Sequence, residues 1–142
     1  VDFGGWDTHE QQGDTEGQFA NLLGELSQAI AAFNQDMQDP MNDLTVVTMS
    51  EFGRRLEENA SNGTDHGHGG SMFVLGGGVN GGMYTDWPTL APEALDEGDL
   101  NITTDFRDVL GEILTQRLSN TALEQVFPNY SANMRGLLNS RG

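Results

Sequence analysis

The sequence contains neither cysteine nor lysine. Without cysteine there is no disulfide framework and no thiolate metal site. Without lysine, six arginines stand alone against twenty-two acidic residues, a formal net charge of −16. A phosphate backbone is held by a cationic face, so the charge argues against nucleic acid as a partner. The same reasoning argues against an anionic membrane surface. No apolar run approaches the roughly 18 residues of a membrane-spanning helix. Prolines number four and tryptophans two, and the hydrophobic fraction is 36%. What remains describes an acidic globular chain of 142 residues with a modest core, the size of one domain.

The segments that are present alternate in type. Val1–Phe3 is an apolar stub of strand character before Gly4 and Gly5. Thr15 to Gln18 has the spacing of a helix capping box. Phe19, Leu22, Leu23, Leu26, Ile30, Phe33 and Met37 then recur at steps of three and four, which predicts a helix with one apolar face. Residues 44–49 and 72–75 read as two buried strands, the second closed by three glycines. Between them, 57–70 is a polar, glycine-rich loop with a turn signal at Asn62-Gly63. Residues 80–100 read as irregular. Thr104 is placed to cap a helix carrying Phe106, Val109, Leu110, Ile113, Leu114 and Leu118, and Thr121 to cap a short turn ending at Phe127-Pro128. This order is that of an α/β fold and predicts a parallel sheet.

All three histidines fall in two glycine-flanked motifs that also carry aspartate: Asp7-Thr8-His9 and Asp65-His66-Gly67-His68. Imidazole with carboxylate ligates zinc, manganese or iron. In open α/β sheets, ligand sites lie beyond the carboxyl ends of strands, where Asp7, His9 and Glu51 are expected. The residues alone fit either metal ligation or loop stabilisation, with aspartate capping turns and histidine bonding backbone. Glu51 alone fits a helix cap or a surface position as well as a ligand.

Three longer motifs resemble a bacterial family, the domain of unknown function 1501: Phe3-Gly4-Gly5-Trp6-Asp7-Thr8-His9, Thr48-Met49-Ser50-Glu51-Phe52-Gly53-Arg54, and Gly63 through Gly70 continuing to Gly78. Asp86-Trp87-Pro88, Thr104-Asp105-Phe106-Arg107 and Val126-Phe127-Pro128 resemble its later signatures. The family is similar in turn to the alkaline phosphatase and sulfatase superfamily. The resemblance implies that residues 1–142 are one segment, the C-terminal portion of an alkaline-phosphatase-like α/β fold with a mostly parallel sheet flanked by helices. It implies a divalent metal (zinc, manganese or calcium) held by Asp7, His9 and His66, with Glu51, Asp65 and His68 as further metal-site candidates. Phe52 stands where the superfamily pattern has a histidine ligand, which favours one metal over two.

The activity implied is hydrolysis of phosphate or sulfate esters, with Arg54 either facing an anionic ester or in a surface salt bridge. The nucleophile is expected upstream of Val1. The upstream segment or a second copy is the expected partner, and export to the periplasm through a twin-arginine signal is the expected location. The alternative is a secreted binding or structural protein that keeps the fold without catalysis.

Overall fold

The computed structural model describes residues 1–139. Their order is helix α1 (Gln18–Met37), strand β1 (Thr45–Val47), strand β2 (Gly53–Arg54), strand β3 (His66–Gly67), strand β4 (Val74–Gly76), helix α2 (Phe106–Leu118) and helix α3 (Leu123–Val126). Short 3-10 turns span Asp39–Asp43 and Pro92–Ala94. The class is mixed α/β. The expected parallel sheet does not appear among the described residues. β1 pairs antiparallel with β4, Thr45 opposite Gly76, and β2 pairs antiparallel with β3, Arg54 opposite His66. Val1–Phe3 carries no strand. β2 and β3 lie in segments too polar and glycine-rich to show a strand pattern. They pair because Gly53 and Gly67 let the two backbones approach: a Cβ on Gly53 would run into the backbone of His68 and Gly69.

The chain packs as two compact units, each assembled from interleaved stretches. The first takes Val1–Gln38, Ser50–Ser71 and Thr89–Asn101. Its helix α1 follows the apolar periodicity, but no residue of it is fully buried, and Leu23 and Phe33 remain exposed. The capping box does not form. Gly17 occupies the cap position without a side-chain bond, the Thr15 N–H donates to its neighbour Asp14, and the Gln18 amide donates to the Gly5 carbonyl.

The second unit takes Asp39–Met49, Met72–Pro88 and the residues from Ile102 on. Its core is Val109, Leu137 and Leu138, with Met72, Val74, Val79 and Ile113 packed around it. α2 is capped by Asp105, whose carboxylate accepts the Arg107 N–H at 2.8 Å, and not by Thr104. The apolar stripe expected of α2 is only partly covered: Val109 is buried, whereas Phe106 and Leu118 are exposed. What α2 buries most completely is acid. Glu112, 1% exposed, accepts the backbone N–H groups of Arg135, Gly136 and Leu138. One turn earlier, Asp108 accepts the Tyr130 hydroxyl and the Asn133 N–H, both at 2.7 Å. Two carboxylates four positions apart share a helix face, so they receive the donors of a chain segment lying along it. No helix among the described residues is long and apolar enough to cross a membrane.

Candidate metal centre

The first unit brings two distant motifs together by backbone pairing. The Thr64 N–H donates to the Thr8 carbonyl at 3.2 Å, Gln11 N–H to Ser61 at 2.9 Å and Gln12 N–H to Asn62 at 2.8 Å. Residues 8–12 therefore run beside 61–64. Gly63 makes this approach feasible, since a Cβ there would overlap the His9 carbonyl. Thr8, 2% exposed, points inward and donates to the Gln12 side-chain oxygen at 2.6 Å. Its neighbours Asp7 and His9 are thereby left toward the open side. β3 places His66 opposite Arg54 and beside them.

The result is a cluster of three. One carboxylate oxygen of Asp7 lies 2.7 Å from Nε2 of His66 and 3.0 Å from Nε2 of His9. The two imidazole centroids are 4.7 Å apart, and donor atoms of Asp7, His9 and His66 all lie within 4.8 Å of one another. On its far side, the Nδ1 of His9 meets Asp65 Oδ1 at 2.9 Å. The Asn59 amide donates to that same oxygen at 2.8 Å and to the His9 carbonyl at 2.9 Å. The Asn59 side-chain oxygen also accepts the N–H groups of Ser61 and Gly63. The His66 bond holds the Asp7 carboxyl below the usual aspartate range, and the His9 ring has some further effect in that direction. The His9 bond, aided by Asn59, does the same for Asp65.

The remaining sequence candidates lie elsewhere. His68 is turned to the 96–99 turn, with Nδ1 at 2.9 Å from Asp96 and Nε2 at 3.6 Å from Asp99. Glu51 is exposed in the bend before β2 and is not in the cluster. The Arg54 guanidinium is occupied: it donates to the carbonyls of Trp6 and Thr64 and, at 3.1 Å, to the Thr8 hydroxyl. It therefore ties the two motifs together. An open cleft lined by Gln11, Gly13, Asp14, Glu58 and Asn62 contains none of the cluster residues. Sequence reasoning missed Asn59 as part of the site. Its signal was present in Asn59-Ala60-Ser61, an asparagine placed to bond backbone two residues on.

The family described as "Protein of unknown function (DUF1501)" matches residues 1–137. The chain belongs to the DUF1501 family. Neither a curated protein nor a solved structure matches it. For this DUF1501 chain, then, the donor chemistry must speak for itself. Two imidazoles and one carboxylate, with a carboxylate behind one imidazole, form the set that three-ligand zinc sites use. Calcium takes six to eight oxygens and is poorly served by two nitrogens. The residues present fit one transition-type ion.

Proposed function

We propose that this DUF1501 segment supplies the metal-holding part of a hydrolase of phosphate or sulfate esters, built on an alkaline-phosphatase-like fold and exported to the periplasm. The observation that carries the metal reading is the shared Asp7 oxygen, within 3.0 Å of both imidazole Nε2 atoms, with Asp65 on the opposite nitrogen of His9. Asp7, His9 and His66 would hold the ion. When bound, a zinc or manganese ion polarises an ester oxygen and stabilises charge developing on it.

The chain's own residues prepare that site. Asp65 accepts from Nδ1 of His9, which fixes the tautomer and leaves Nε2 to ligate. Asn59 keeps Asp65 and the His9 backbone in register.

A second reading, a secreted binding or structural protein without catalysis, is favoured by Arg54, which bonds the Trp6 and Thr64 carbonyls and the Thr8 hydroxyl and so has a structural role. Metal analysis and calorimetric titration of the purified chain with zinc and manganese test the site. Release of p-nitrophenol from its phosphate or sulfate ester tests the activity. Zinc uptake without turnover selects the second reading. Absence of both zinc and manganese uptake removes both hydrolase and metal.

A further inference from the structure

We propose that Phe52 is a positioning residue whose ring fixes the plane of the His66 imidazole and so aims its Nε2 at the point shared with Asp7 and His9. The inference rests on the metal reading above. The Phe52 and His66 rings are stacked, with centroids 3.9 Å apart and planes 11° from parallel. The two histidines of the cluster are otherwise held differently. His9 has a partner at each nitrogen, Asp65 hydrogen-bonded to Nδ1 and Asp7 3.0 Å from Nε2. His66 is bonded through Nε2 to Asp7, and among the described residues nothing bonds its Nδ1. Rotation of an imidazole about its last side-chain bond is broad, so one hydrogen bond leaves the ring plane loosely set. A metal–nitrogen bond lies in that plane, so a loosely set ring makes a poor ligand. The stacked phenyl supplies the missing constraint.

Phe52 is itself anchored. The Ser50 hydroxyl donates to its carbonyl at 2.7 Å, and the Arg54 guanidinium lies 4.9 Å from its ring centroid. Arg54 in turn is bound to the carbonyls of Trp6 and Thr64. A guanidinium fixed by backbone thus supports a phenyl ring that supports a ligand ring. Phenylalanine has no donor atom, so its contribution here is shape and not coordination.

The test compares the whole chain with Phe52→Tyr, which keeps the flat face, and Phe52→Leu, which fills volume without one. Proton NMR of the metal-free proteins reads the His66 ring signals, and calorimetric titration reads zinc affinity. We expect upfield ring-current shifts on His66 in the wild type and Phe52→Tyr. In Phe52→Leu they should be lost while the His68 signals hold. Zinc should bind Phe52→Tyr as it binds the wild type, and Phe52→Leu about tenfold or more weakly, the range for residues that orient a ligand. Phe52→Met, an unbranched filler, carries the same expectations as Phe52→Leu should the latter fail to fold. Zinc affinity unchanged in Phe52→Leu or Phe52→Met, or His66 signals unmoved in them, overturns the proposal. A wild-type chain that takes up neither zinc nor manganese overturns the metal reading beneath it, and that arm is read independently of any variant.

Discussion

Nδ1 of His9 and Oδ1 of Asp65 lie 2.9 Å apart across 56 positions of sequence. That contact leaves the opposite nitrogen of His9 facing Asp7 and His66. Replacing Asp65 with asparagine keeps the size of the side chain and removes its charge. Zinc affinity should fall about ten- to a hundredfold, the usual effect of losing a carboxylate behind a histidine ligand. Calorimetric titration checks it, and unchanged affinity would show that the contact is purely structural.

His9→Ala and His66→Ala should each remove most zinc binding, because each deletes one of three converging donors. His68→Ala should leave zinc binding near the wild-type value. Its partners are Asp96 and Asp99, and its loss should appear as faster amide exchange in the 96–99 turn. A His68→Ala protein that loses zinc while keeping that turn protected contradicts this assignment.

Asp7 and Asp65 both have carboxyls held below the ordinary value of 3.8, by the bonds from His66 and His9 respectively. A depressed folded-state value adds stability that is in place above the unfolded value and is lost as pH falls through the folded one. Local order around the cluster should therefore persist at neutral pH and fade below about pH 4. Amide exchange at residues 61–66, followed between pH 7 and pH 3, reads this directly. Protection that decays well above pH 4 would mean that other groups control the region.

Glu112 closes the second unit from within. Its carboxylate serves three backbone N–H groups, from Arg135, Gly136 and Leu138. Glu112→Ala leaves these donors without their acceptor and opens a cavity beside Leu138. A loss of about 2 kcal/mol is expected, since the buried Leu138 N–H loses its acceptor and an unsatisfied buried donor costs roughly 1–3 kcal/mol. Urea unfolding measures the loss. A drop below about 1 kcal/mol would place residues 135–138 outside the cooperative unit.

Tyr130 donates to Asp108 at 2.7 Å, and this bond pushes the phenol up to about 12. A raised folded-state value gives stability that is complete below the unfolded value of about 10 and is lost as pH rises through the folded one. The contribution of Tyr130 should therefore disappear between about pH 10 and about 12. Ultraviolet titration of the wild type against Asp108→Asn checks this. The variant should ionise at lower pH, and coincident curves would remove Asp108 as the cause.

Much of this protein was already written in its chain. The three-and-four spacing from Phe19 to Met37 determined α1, and the compact β-branched run determined β1, because local periodicity and side-chain shape act over a few residues. The grouping of every histidine with an aspartate, and their glycine neighbours, marked the two motifs. The resemblance carried by those motifs named the family.

Pairing direction was not local. β1 meets β4 antiparallel, a choice made by the connections and by which backbones glycine lets approach. Nor did the residues themselves separate His66 from His68, two positions apart and alike in surroundings; only the family resemblance put His66 in the ligand set. In a regular strand two residues two apart would share a face, but β3 ends at Gly67, and which neighbours each histidine meets is fixed by chain folded back from elsewhere. His66 meets Asp7, delivered by the pairing of residues 8–12 with 61–64, and His68 meets Asp96. The buried carboxylates of α2 were equally hidden. A glutamate reads as solvent-facing until a segment 23 to 26 positions away supplies three backbone donors. Local physics set which elements could form. Long-range hydrogen bonding decided which side chains would share a site, because that depends on donors and acceptors that no short window of sequence contains.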